Sequence, residues 1–207
     1  NMELPENSAI RVPKEGRIVL QMHYHLISEE RTDRTGISLR WSDNPPIREA
    51  SFSLTGNGTG MDENGNGLLS GMNDTNGVEF LIPADEPAHV ETMKYTLFPY
   101  LLRGKDLFMI ANHMHYVGQD MKVWLDGQSD DCLLQTPDWD FGWQQFYYYD
   151  VNNGQSPTLY PSDELWIRCT YNNTLDNTAL LQNLQALGLS ETVDVTLGEG
   201  SLDEMCL

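Results

Sequence analysis

The sequence predicts an all-β protein: an antiparallel β-sandwich of jelly-roll type over residues 45–207, preceded in residues 1–44 by the terminal hairpin of another sandwich domain. Three observations point there. Short apolar runs recur along the chain with turn residues between them, the spacing of strands in a sandwich. Gly36-Ile37-Ser38-Leu39-Arg40-Trp41 alternates with period two, which gives a strand one apolar face. Only Thr178–Leu189 has helical spacing, with Leu180, Leu181, Leu184 and Leu187 on one stripe and Gly188 as a stop.

The elements follow in order. Arg17–Leu26 reads as a mostly buried strand, joined to Gly36–Trp41 by a polar connection as a hairpin. Asn44-Pro45-Pro46 cannot continue a sheet, so the domain boundary is set there. The stretch up to residue 77 is rich in Gly and Asn and reads as a long loop over short strands. Strands are then expected at Val78–Ile82, Ala88–Leu97, Leu107–Val117, Lys122–Asp126, Trp139–Tyr149 and Glu164–Tyr171. The aromatic residues from Trp139 to Tyr149 are expected to fill core and strand edge.

Acidic residues outnumber basic ones by 31 to 12, for a formal charge of -19. That excludes nucleic acid as a partner, because no cationic surface would replace the phosphate counterions, and it disfavours anionic membranes. No run of eighteen apolar residues occurs, so no membrane span is expected. Asn1-Met2-Glu3-Leu4 lacks the basic and apolar stretches of a signal peptide and reads as the start of a processed piece. Three cysteines, Cys132, Cys169 and Cys206, leave at least one without an internal partner.

Four of the five histidines form two His-x-His pairs, His23/His25 and His113/His115. Roughly 0.1 such pairs are expected at this histidine frequency. Both pairs lie in strand-like segments, where side chains at i and i+2 leave the same face and converge on one point. Neutral imidazole suits zinc, copper, iron and nickel. A single pair is more often a surface or hydrogen-bonded feature; two in one small protein point to metal. His89, alone after Pro87-Ala88, reads as a packing or loop histidine. A third ligand must come from elsewhere: a thioether would select copper, a carboxylate zinc or iron. Composition does not choose among the nine methionines.

Four segments together resemble the copper type II, ascorbate-dependent monooxygenases, the family of peptidylglycine α-hydroxylating monooxygenase and dopamine β-monooxygenase. They are Leu20-Gln21-Met22-His23-Tyr24-His25, Asn112-His113-Met114-His115-Tyr116-Val117-Gly118, Arg168-Cys169-Thr170-Tyr171-Asn172 and Asp203-Glu204-Met205-Cys206. Their order and rough spacing agree over residues 15–207. The resemblance implies that His113, His115 and Met205 hold the copper that binds dioxygen and faces a small-molecule substrate. It implies that His23 belongs to a second copper, fed by ascorbate or another electron donor. It further implies a disulfide between Cys169 and Cys206, C–H hydroxylation as the reaction, and export to the periplasm or the extracellular space.

The chain departs from the family in three places. The second copper of the family uses an adjacent His-His pair, and no such dipeptide occurs here. A missing N-terminal domain or chain is therefore expected to complete that site, with His25 as an alternative ligand. Peptide-amidating members carry an Arg two positions before the first His of the His-x-His, where this chain has Ala111. The Tyr that assists that Arg lies past the Glu-Met-Cys segment and so beyond residue 207. A second reading, a non-catalytic metal-binding or assembly sandwich, draws on these departures. The loop Asp62–Gly67 has part of a calcium-loop pattern, but its twelfth position is Asn73, and it reads as a plain Gly/Asn-rich loop.

Overall fold

The computed structural model describes residues 3–22, 24, 29–56, 60–97, 103–125 and 132–207. Its strands, in chain order, are β1 (Ser8–Ile10), β2 (Arg48–Ala50), β3 (Gly67–Leu68), β4 (Leu81–Ile82), β5 (His89–Thr96), β6 (Lys105–Asp106) and β7 (Met109–Ile110). They continue with β8 (Gly118–Leu125), β9 (Cys132–Thr136), β10 (Tyr147–Tyr148), β11 (Thr158–Leu159), β12 (Glu164–Tyr171) and β13 (Val195–Thr196). Among the described residues a single α-helix, α1 (Thr178–Ala186), precedes β13. The protein is all-β. Chain contacts divide it into two units, Asn1–Ser53 and Leu54–Leu207.

In the second unit a five-stranded antiparallel sheet runs in the order β3-β5-β12-β8-β9. The central strand β12 explains why. Its residues alternate without interruption, so Leu165, Ile167, Cys169 and Tyr171 are buried while Glu164, Trp166, Arg168 and Thr170 face outward. Neighbouring strands supply Met121, Val123 and Leu125 from β8 and Met93 from β5 to the same core. Across the rungs of the outer face, Trp166 stacks on Trp124 with ring centroids 5.9 Å apart. Three two-stranded antiparallel ladders, β10-β7, β11-β6 and β13-β4, complete the unit.

Helix α1 begins where Asn177 accepts hydrogen bonds from the Ala179 and Leu180 N–H groups, an N-cap. Leu180 and Leu184 are buried beneath it. It ends one residue before Leu187, and Gly188 takes a φ of 74° that the expected stop requires.

Two expectations are corrected. Among the described residues of the first unit the only ladder is β1 with β2, and it is parallel. Residues 17–22 and 36–41, expected as a hairpin with a mostly buried first strand, lie in no ladder and are exposed. Val19 is 84% and Trp41 67% exposed, because one three-residue pair offers nothing to bury an apolar strand against. Residues 23 and 25–28, with both histidines of the first pair, lie outside the described residues. The aromatic segment from Trp139 is likewise not a long strand; only Tyr147 and Tyr148 enter a ladder. Asp140 turns the chain at Gly142 through a 2.7 Å hydrogen bond to its N–H, and Trp143 is left 68% exposed.

Candidate metal centre

His113 and His115 sit on the stretch that leads from β7 to β8. Alternation places Asn112 and Met114 in the core, Met114 fully buried, and turns both histidines to the opposite face. Their rings lie 5.2 Å apart, centroid to centroid, at 83°. Trp139 and Phe141 flank them edge-on, at 6.4 Å from His113 and 6.0 Å from His115.

Both tautomers follow from hydrogen bonds. The Asp203 carbonyl can only accept, so His115 donates from Nδ1 across 2.9 Å. Gln144 donates its amide N–H to the Phe141 carbonyl at 2.9 Å, which turns its Oε1 toward His113. His113 therefore donates from Nδ1 to Gln144 Oε1 at 2.7 Å. The hydrogen bonds at Nδ1 leave Nε2 of each imidazole as the nitrogen open to a metal. Burial, opposed by the Asp203 carbonyl and reinforced by His113, holds His115 below the ordinary histidine pKa and so neutral.

The tail arrives beside them by backbone pairing. His113 N–H donates to Leu207 O at 2.7 Å, and Leu207 N–H returns a bond to His113 O at 3.0 Å. These are the two bonds of one antiparallel pair. The next pair in that register is His115 opposite Met205, and opposed residues share a face. That pair is not closed by backbone bonds. The Glu204 carboxyl stands between the strands, and its Oε1 accepts from the N–H groups of both Met205, at 2.7 Å, and His115. The freed carbonyls find other donors: Trp139 Nε1 at 3.0 Å for His115 O, and Tyr171 Oη at 3.2 Å for Met205 O. Every backbone polar group of the opened pair is satisfied. This also explains why the expected strand Leu107–Val117 is a ladder only at Met109–Ile110.

Glu204 is fully buried, and burial pushes its carboxyl up to about 8 despite the backbone donors that favour the charge. The tail is fixed from other sides as well. A disulfide joins Cys169 in the middle of the sheet to Cys206. Glu204 N–H bonds Thr196 O at 3.0 Å on the far side. Gly56, at φ 129°, packs so closely that a Cβ there would sit 1.9 Å from Cys206 O. Cys132 is a free, exposed thiol.

Of the residues singled out in sequence, His113, His115 and the Met205 segment are thus neighbours, while His23 and His25 lie outside the described residues. His89 is a buried core histidine bonded to Glu91 Oε1 at 2.7 Å and to the Asn73 amide at 3.2 Å. Asp62 uses its carboxylate on the N–H groups of Asn64 and Asn66, a plain loop turn. Among the described residues no three His, Cys, Asp or Glu side chains group to hold a metal ion. Gln144 and Trp139 were not foreseen as site residues. Only the β7/β10 register reveals Gln144. No helix among the described residues is long and apolar enough to cross a membrane. No protein-family model matches the chain, and no characterised protein matches its sequence.

Proposed function

We propose that this chain is the oxygen-binding part of an exported, copper-dependent monooxygenase, built on a jelly-roll sandwich, with His113, His115 and Met205 as copper ligands. The observation that carries the reading is the pairing of the His113 stretch with the Met205 tail, with Nε2 of both imidazoles left open by the hydrogen bonds at Nδ1. Two nitrogens and one thioether fit copper, and the thioether favours its reduced state. The Cys169–Cys206 disulfide is compatible with an oxidising compartment.

Bound copper supplies one-electron chemistry and an open position for dioxygen, toward hydroxylation of a substrate C–H bond with ascorbate or another donor as reductant. The chain's own residues do the positioning. Gln144 and the Asp203 carbonyl hold the Nδ1 protons and so aim both Nε2 lone pairs. Glu204 sets the spacing of His115 from Met205. Trp139 and Phe141 flank the histidine rings edge-on. His23 belongs, in this reading, to a second copper whose other ligands come from a missing domain or chain, so the chain alone binds copper without turning over.

Electron paramagnetic resonance with one equivalent of Cu(II) tests the assignment. Nitrogen hyperfine structure from two imidazoles is expected, lost in His113→Ala and kept in His89→Ala. A spectrum unchanged by both substitutions would overturn it.

A further inference from the structure

We propose that Glu91 and Asp74 hold a hard divalent cation, calcium, at a site made by none of the proposed copper ligands. β5 turns His89, Glu91 and Met93 toward the core, so two inward positions at one end of the strand carry polar groups. Glu91 is only 1% exposed. Its two oxygens are in different situations. Oε1 lies 2.7 Å from His89 Nε2, and His89 Nδ1 lies 3.2 Å from the Asn73 amide nitrogen, so both ring nitrogens are engaged. Oε2 is buried and has no hydrogen-bond partner among the described residues. Tyr171, whose ring centroid is 6.3 Å from that of His89, donates its hydroxyl to Met205 O instead. A buried carboxylate oxygen without a partner is costly, and such an exception in a folded chain points to an ion or a water that completes it.

A second carboxylate borders the same gap. Asp74 accepts from the Gly71 N–H through Oδ2 at 2.8 Å. Its Oδ1 and Glu91 Oε2 both lie 3.8 Å from the point that a Gly71 Cβ would occupy. Gly71 leaves that point empty of side chain, and Gly71 and Asp74 are half-buried, so the gap is reached from the loop after β3. A water satisfies one acceptor oxygen, but two carboxylates that converge on one gap repel each other unless a positive charge lies between them. With oxygens as its donors, the gap selects a hard cation. Calcium also takes carbonyl, amide and water oxygens in a shell of about 6–8, so two carboxylates serve without a third acidic side chain. Bound there, it ties the loop after β3 to β5.

Thermal unfolding of the full metal-free chain in about 5 mM calcium chloride, against sodium chloride of equal ionic strength, tests the site. Matched salt is needed because a chain of charge -19 responds to any salt. A calcium-specific rise in melting temperature of about 3–6 °C is expected for a dissociation constant of about 0.1–1 mM, the range of extracellular calcium modules. Glu91→Gln should abolish the rise. Gly71→Ala should cut it by about half or more, because its methyl would meet both oxygens at ordinary contact distance and fill part of the gap without disturbing the fold. His113→Ala should keep it in full, which separates this site from the copper reading. No calcium-specific rise, a rise undiminished in Glu91→Gln or in Gly71→Ala, or one lost in His113→Ala would overturn the proposal.

Discussion

Below about pH 8 the Glu204 carboxyl is protonated and still accepts two backbone N–H groups through one oxygen. A glutamine in its place keeps the Oε1 acceptor and the shape but sets an amide NH2 where the buried Oε2 has no hydrogen-bond partner among the described residues. Glu204→Gln is therefore expected to cost about 1–3 kcal/mol, whereas Glu204→Ala orphans two buried N–H groups at about 1–3 kcal/mol each. Urea titrations of the metal-free chain distinguish these. The sign of the pH effect follows from the same group. In the unfolded chain it ionises in the ordinary carboxylate range, so between there and about 8 the folded state holds the extra proton. Stability should fall as pH rises through that window, and the slope should flatten in Glu204→Gln. Gln144 acts on the neighbouring ligand. Gln144→Ala releases His113 Nδ1 and is expected to weaken copper binding by about 10–100-fold in a chelator competition, with little change in unfolding.

Among the elements, the tail depends on restraints distant in sequence. The disulfide closes a separation of 37 residues, so Cys169→Ala with Cys206→Ala should lower the unfolding free energy by about 4 kcal/mol. Gly56→Ala should loosen the same segment, because a methyl there collides with backbone and the φ of 129° disfavours any side chain. Hydrogen exchange at the Leu207 and His113 amides reads both effects. This dependence explains how far the elements were legible in sequence. β12 was read over its full length because both its neighbours are long and its alternation is unbroken. Helix α1 was read from its leucine stripe and Gly188. Trp139–Tyr149 misled, since aromatic alternation resembles a strand while the Asp140 turn at Gly142 lifts the chain off the sheet. The histidine pair was visible from spacing alone. Its pairing with residues ninety positions away, and the carboxyl wedge between them, had no local signal.

At the scale of the whole molecule, a formal charge of -19 sets a background of self-repulsion that salt should relieve. Raising sodium chloride to about 0.5 M is expected to raise the melting temperature of the metal-free chain. The two units also differ in construction. Among its described residues the first has one short ladder and exposed apolar residues between its strands, while the second holds the five-stranded sheet and the histidine pair. Limited proteolysis should cut within residues 11–47 and leave a product near Leu54–Leu207 that still binds copper. The central claim is that one thioether joins two imidazoles at this site. X-ray absorption of the chain reduced with one equivalent of copper tests it most directly. The account predicts a sulfur shell beside the nitrogens, lost in Met205→Leu and kept in Met114→Leu; no sulfur shell, or one that Met205→Leu leaves intact, would contradict it.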